Sequence, residues 1–409
     1  MEIDLGFIPV DRPGHGGTGS VQTSTLLIEE MSKHFNLTVY ILSNDSVDYQ
    51  KLPAVNKVEY VILDDLGTMP HPLHNKIKSL STLKTQLSEH DLVHSYCSEY
   101  IYPLNDVDTP TIVTLNSYRP VCPKEDLRFL NNSKCSGPQV LKCTGCVLRS
   151  SIKRNQGFRE EIKSNYTSLY QSKLTKDSME GKDNISVYHC LSPHLKSDYD
   201  SLGFSSDKMK VIPHFYDKSF YNDPSDDETK VDVESPTVLT VGRLEEKKGV
   251  QDLIRALPQI VENGYTPTVR IIGSGSYENK LRKLADALGV DEYIVWKGFV
   301  DYERLPKWYS ESDLFVYPGL WDEPFGRVFL EAMASQTPVL SSEVGSVEYI
   351  LGNAGLTYEP GSSSQLATRF DEILSHYDKY KNEIPSQLRK FDKKAIVKQF
   401  RNLYMDVSK

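Results

Sequence analysis

No stretch of this sequence approaches the about 18–20 continuous apolar residues that a membrane-spanning helix requires. The opening run, Met1-Glu-Ile-Asp-Leu-Gly, has neither a basic segment nor a cleavage signal, so a cytoplasmic protein is expected. An excess of basic residues is also missing. The 47 Lys and Arg are outnumbered by 56 Asp and Glu, and a net charge of −9 argues against general nucleic-acid binding. Nothing repeats at a solenoid period. In a cytoplasmic chain the Asn-x-Ser/Thr triplets at Asn36, Asn44, Asn131, Asn165 and Asn184 are chance occurrences. Cysteine is scarce, with six in 409 residues, yet four of them fall between 122 and 146.

What is present is alternation. Short β-rich runs at Ile3–Val10, Leu37–Leu42, Val58–Leu63, Leu92–His94, Thr111–Leu115, Val187–Cys190 and Val211–Pro213 are separated by helical patterns such as Ser20–Phe35. The polar, acidic stretch Asn222–Ser235 reads as a linker, after which strands and helices alternate again to about residue 378. Such alternation predicts βαβ units and parallel sheets, and 409 residues exceed what one core usually organises.

The densest motif is Asp322-Glu-Pro-Phe-Gly-Arg-Val-Phe-Leu-Glu-Ala-Met-Ala334. Asp313–Tyr317 reads as a buried strand, and Pro324 suits a first helical position because its missing N–H has no partner there. The spacing predicts strand, loop and helix, with the helix N-terminus opening at the strand's carboxyl end, where ligands bind in open α/β sheets. Amides around Phe325, Gly326 and Arg327 suit a phosphate. Glu331, two turns deeper, and Glu323, in the loop, can accept hydrogen bonds from sugar hydroxyls. Ribose, diphosphate and hexose occur in that order in a nucleotide sugar.

This run resembles the E-x7-E signature of retaining GT-B glycosyltransferases of family 4, the glycosyl transferases group 1 type. The resemblance implies an α/β GT-B fold, with two Rossmann-like parallel-sheet domains facing a central cleft. The expected organisation is an N-terminal acceptor-side domain (1–220, with a Cys-rich insertion about 118–150), a linker (221–235), a donor domain (236–383) and a helix crossing back (384–409). The family's "GR…KG" pair corresponds to Gly242-Arg243 and Lys248-Gly249, so Arg243 and Lys248 are expected to hold the donor diphosphate, while Lys247 reads as part of a surface Lys/Glu cluster. Arg243, Lys248 and Glu323 form the expected catalytic set. Gly16, Gly17, Gly275, Gly298, Phe299, Val300, Phe325, Gly326, Arg327 and Glu331 are expected to line the donor. The Gly345–Glu348 run adds backbone nearby.

The N-terminal half departs from the pattern. Relatives often carry His after the strand matching Thr111–Leu115; this chain has Asn116, which can bind a sugar hydroxyl but cannot carry a proton as His does. Asn116 and His15 are the acceptor or sugar candidates, and His94 reads as a satisfied strand-end residue. Gly14-His-Gly-Gly-Thr-Gly19 also fits a dinucleotide fingerprint, but no clean acidic residue ends the second strand. The reading is a retaining hexosyltransferase acting from a nucleoside diphosphate sugar onto a glycan or lipid-linked acceptor, with no cofactor at the catalytic site. An NAD-linked oxidoreductase or a non-catalytic nucleotide-sugar-binding protein are the alternatives. The runs Asp106-Val-Asp108 and Asp198-Tyr-Asp200 read as accidental.

Cys143-Thr-Gly-Cys146 is a C-x-x-C knuckle. With Cys122 and Cys135 it forms a candidate metal set, for which structural zinc ranks ahead of an iron–sulfur cluster and unliganded thiols; disulfides are disfavoured in the cytosol. Cys97 and Cys190 read as core residues. From Lys142 to Lys176 eight bases face two acids, a charge of +6. That stretch is either a solvated helix face or, with Tyr166, Leu169 and Tyr170, a patch for an anionic membrane surface at the inner membrane face.

Overall fold

A computed structural model describes residues 3–17, 19–67, 72–130, 133–152, 158–222 and 231–408. It divides the chain into two compact units, Met1–Pro213 with Val397–Lys409, and His214–Ile396. Most of the expected linker, 223–230, lies outside the described residues, as do Lys153 and Arg154 of the basic stretch.

The first unit is built on β1 (Asp4–Ile8), β2 (Asn36–Leu42), β3 (Glu59–Leu63), β4 (Leu92–Ser95) and β5 (Thr111–Leu115). After a small antiparallel hairpin, β6 (Arg128–Phe129) and β7 (Ser133–Lys134), come β8 (Val187–Cys190) and β9 (Met209–Val211). The seven-stranded sheet is parallel, in the order β3-β2-β1-β4-β5-β8-β9. Every residue of β4 and β5 is buried, as expected when helices cover both faces of a parallel sheet. Four polar side chains cross this interior in one chain: Tyr404 Oη to His94 Nδ1 (2.6 Å), His94 Nε2 to Thr114 Oγ1 (2.8 Å), Thr114 Oγ1 to His189 Nδ1 (2.9 Å), and His189 Nε2 to the Ile212 carbonyl (2.7 Å).

The second unit carries β10 (Thr237–Val241), β11 (Thr268–Ile272), β12 (Ile294–Gly298), β13 (Leu314–Tyr317), β14 (Val339–Ser342) and β15 (Gly355–Tyr358). Its parallel sheet runs β12-β11-β10-β13-β14-β15. Strand order therefore reverses between β10 and β13, a switch point at which a crevice opens at the carboxyl ends. The core beneath is aliphatic, with Leu253, Ile254, Leu257, Val269, Ile271 and Val316 almost wholly buried.

Two boundaries differ from the sequence reading. The division falls at Pro213/His214 because residues 214–222 pack on the second unit. His214 meets the Phe325 ring at 4.6 Å, Phe220 meets Tyr302 and Tyr309 at 5.3 and 5.6 Å, and the Asn222 amide donates to the Ala334 carbonyl. The expected single helix from Ile384 is two helices, Tyr377–Leu388 and Lys393–Val407. Between them Phe391 is buried against Phe325 and Tyr349, and the Asp392 carboxylate accepts from the Ala395 amide at 3.0 Å, starting the second helix afresh. Among the described residues no helix is long and apolar enough to cross a membrane.

Candidate functional site

Gly242 and Arg243 leave the end of β10, and Tyr317 ends β13, so the expected residues meet at the switch point of the second unit. A cleft here is lined by Gly242, Arg243, Leu244, Lys248 and Tyr317. Backbone crowding places Lys248. Gly249 has φ 73°, and a Cβ there would lie 1.6 Å from the Pro318 carbonyl oxygen. Only glycine permits that approach, which pins the start of helix Val250–Glu262 against the end of β13.

The Lys248 ammonium donates to Glu323 Oε2 at 2.8 Å, and the Tyr317 hydroxyl donates to the same oxygen at 2.6 Å. Lys248 Nζ also lies 3.3 Å from Tyr317 Oη and 5.1 Å from the Trp321 ring centre. Burial alone would raise the Glu323 carboxyl pKa, but the charge and hydrogen bond of Lys248 and the Tyr317 hydroxyl outweigh it and hold it below the usual range. Glu323 is thus an anion with a fixed cation beside it. The Arg243 guanidinium, 62% exposed, donates to Glu245 at 2.6 Å. A surface pair of that kind is weak and yields readily to a better anion.

The loop carrying Glu323 is fastened from behind. Gly345, at φ 57°, donates its amide to Asp322 Oδ1 at 3.1 Å, and a Cβ there would lie 2.3 Å from the Glu323 carbonyl oxygen. The Ser346 hydroxyl donates to the Pro324 carbonyl at 2.7 Å. This corrects the reading of Pro324 as a first helical residue. Helix Arg327–Ala334 begins three residues later, behind Gly326 at φ 89°, because hydrogen bonds to 345–346 hold the loop outside the helix. Phe325 is buried in that loop against His214 and Phe391.

Glu331 has the opposite environment. It is 5% exposed, accepts from the Tyr309 hydroxyl at 3.1 Å and faces Arg327 Nε at 3.6 Å. Burial raises its pKa, and Arg327 and Tyr309 offset this only in part. Arg327, also buried, donates to Tyr302 Oη at 2.7 Å. The two carboxylates of the motif are therefore driven apart in proton affinity. Gly275 lies where a Cβ would sit 2.3 Å from the Leu244 carbonyl, and Gly298, at φ 66°, ends β12. Beyond it Val300 is half-buried and Phe299 is 75% exposed, an unusual setting for a phenylalanine.

In the first unit, Gly16 and Gly17 take φ 75° and 113° ahead of helix Gly19–Met31. His15 is engaged at both nitrogens, with Nδ1 on the Pro13 carbonyl (3.0 Å) and Nε2 accepting from the Asp48 amide (2.8 Å). Asn116 ties two strand ends together. Its Nδ2 donates to the Tyr96 carbonyl (2.8 Å) and its Oδ1 accepts from the Ser98 amide (3.2 Å). In the basic stretch Lys173 pairs with Asp177 and Lys176 with Glu180, acids just past the counted window. Tyr166 and Tyr170 contact His74, so neither is simply presented to a membrane, whereas Leu169 is 55% exposed.

Sequence reading missed Tyr317, Trp321 and Tyr309. Their only signal was aromatic residues at a strand end or facing helix, which ordinarily denotes core. Lys247, read as a surface residue, has its ammonium 4.5 Å from the Trp321 ring centre and 3.6 Å from Glu245.

Residues 222–391 match the family model described as glycosyl transferases group 1, so the second unit carries a domain of that family. An uncharacterized glycosyltransferase of Methanocaldococcus jannaschii is 40% identical over 142 residues, 34% of this chain and 36% of that protein. A GDP-mannose-dependent alpha-(1-6)-phosphatidylinositol monomannoside mannosyltransferase of Mycobacterium tuberculosis is 34% identical over 154 residues, 36% of this chain and 40% of that protein. The matches thus span less than half the length of these curated relatives. Sucrose-phosphate synthase of Thermosynechococcus elongatus superposes with a TM-score of 0.71 at 18% identity over 98% of each chain. The Anabaena protein HepE, in complex with UDP-glucose, does so with a TM-score of 0.68 at 17% identity over 99% of this chain and 100% of its own. This likeness shows the fold: two parallel-sheet Rossmann-like units of the GT-B type.

Proposed function

We propose that this chain, whose second unit is a group 1 glycosyl transferase domain, moves a hexose-type sugar from a nucleoside diphosphate donor to a glycan or lipid-linked acceptor with retention of configuration. The observation that carries this reading is the half-buried Lys248–Glu323–Tyr317 cluster at the β10/β13 switch point, with Arg243 exposed beside it. A cation held by a carboxylate is already oriented before any ligand arrives. When a donor diphosphate enters, Arg243 exchanges Glu245 for phosphate oxygens, and Lys248 adds a second cation. Fixed positive charge stabilises the diphosphate as the glycosidic bond breaks, and such preorganised electrostatics commonly dominate catalysis.

No protein nucleophile is required. The acceptor hydroxyl attacks from the face the diphosphate leaves, and the departing phosphate oxygen takes its proton. Glu323, kept ionised, accepts hydrogen bonds from the sugar. Glu331, within hydrogen-bond reach of Tyr309 and close to Arg327, orients the ribose. Phe299 and the Gly298–Val300 loop border the base. The GDP-mannose dependence of the mycobacterial protein and the UDP-glucose held by the Anabaena protein support a sugar nucleotide and leave the base to experiment.

The test is a thermal-shift panel of UDP-, GDP- and ADP-sugars on the full chain, followed by donor turnover with the stabilising compound. A donor at 100 times its dissociation constant should add about 2.7 kcal/mol of stability. No stabilisation by any sugar nucleotide, or nicotinamide absorbance changes on turnover, would overturn the reading. Stabilisation without hydrolysis or transfer would favour a binding protein.

A further inference from the structure

Three non-glycine residues with left-handed backbone crowd into the segment just after Cys122: Glu125 (φ 68°), Leu127 (φ 49°) and Leu130 (φ 51°). Such strain persists only where the surroundings impose it. Here the turns aim backbone N–H groups at sulfur. The Leu130 amide donates to Cys146 Sγ at 3.4 Å, and the Gln139 amide to Cys143 Sγ at 3.4 Å.

Cys135 completes the set. Its own amide donates to the Leu127 carbonyl at 2.5 Å, extending the hairpin in which Arg128 faces Lys134 and Phe129 faces Ser133. Helix Val140–Ile152 places Cys143 and Cys146 one turn apart. None of the six cysteines is in a disulfide, and Cys122 and Cys146 are buried.

A neutral thiol is a poor hydrogen-bond acceptor, whereas a thiolate is a good one. Two amides directed at two of these sulfurs therefore suit anions. We propose that Cys122, Cys135, Cys143 and Cys146 form a four-thiolate site for a structural zinc ion, which fastens the hairpin to the helix. Four thiols release four protons to solvent as four Zn–S bonds form, and the filled tetrahedral shell leaves no position for substrate. Among the described residues no three of these sulfurs lie within 4.8 Å of one another, so filling the site requires them to approach. The rest of the segment is already anchored within its unit. The Tyr118 hydroxyl and the Lys134 ammonium both donate to Asp198, at 2.7 and 2.8 Å, and Arg119 bridges Glu99 and Glu125.

Metal analysis of the full chain, purified from medium supplied with both zinc and iron, tests this. The expected result is about one zinc per chain. Cys143→Ser and Cys146→Ser should lose it, and Cys97→Ser should keep it. Titration of the thiols with a mercurial should release the zinc in step with their modification. Should the serine variants fail to fold, cobalt(II) exchanged into the unaltered chain reads the ligands directly, through thiolate-to-cobalt charge-transfer absorption. A chain free of zinc, cobalt spectra without that absorption, or bound iron with visible cluster absorption would each overturn the proposal.

Discussion

The first unit buries a polar chain through its sheet, Tyr404–His94–Thr114–His189–Ile212, in which each group meets the next and no formal charge is required. The second unit instead gathers charge at the end of its sheet, where Lys248 and Tyr317 converge on Glu323 and Arg243 reaches outward. A closed neutral chain holds elements together and offers nothing to a ligand. A charged cluster at a switch point keeps its groups oriented and can trade one anion for another. The difference separates structural polarity from chemical polarity without reference to any sequence motif.

The comparison breaks most sharply at Lys248. Lys248→Ala leaves the half-buried Glu323 without its cation, so it should cost up to about 3–5 kcal/mol of stability as well as most turnover. Chemical denaturation together with an activity assay reads both, and a variant as stable as the parent would show that the pair is not structural. Arg243→Ala should separate the two effects. Arg243 is exposed, so the melting temperature should hold while kcat falls about 10²–10³-fold, or about 2.7–4 kcal/mol. Near-normal rates would remove Arg243 from the catalytic set.

The neutral chain should fail in acid. His189, fully buried, has its pKa lowered to about 4 by burial, only partly opposed by the Ile212 carbonyl, and His94 is lowered too. An unfolded histidine titrates near 6.5. The unfolded state therefore binds more protons between the two values. This contribution to stability is whole above pH 6.5 and is lost progressively as pH falls towards about 4, on the order of 3 kcal/mol for His189. Denaturant midpoints measured between pH 7.5 and 4 check it, and ring resonances that titrate near 6.5 would contradict it. The smallest stability effect is expected at Phe299. At 75% exposure, Phe299→Ala should change stability by less than about 0.5 kcal/mol while weakening donor binding. Unaltered affinity for the donor would place the base elsewhere.

Several features were legible in the chain because they are local. Strand positions such as Thr111–Leu115 and Thr237–Val241 followed from β-rich apolar runs, and the strand–loop–helix around Glu323 followed from apolar spacing. Other features were not legible, because the physical cause lies far along the chain. Pro324 invited a helix start, but residues 345–346 hold that loop open. Tyr317 looked like any core aromatic until Lys248 and Glu323 arrived from other elements. Asn116 was offered for sugar binding, while its amide ties Tyr96 to Ser98.

By itself the sequence determined two parallel α/β layers and the identity of the charged groups, since periodicity and residue chemistry are properties of neighbours along the chain. Only the tertiary structure decided which carboxylate is ionised and which is drawn towards neutrality. Glu323 and Glu331 are the same residue type in one motif, and what distinguishes them is the balance of burial against nearby cations and hydroxyls. That balance exists only once separate strands and helices have closed around each of them.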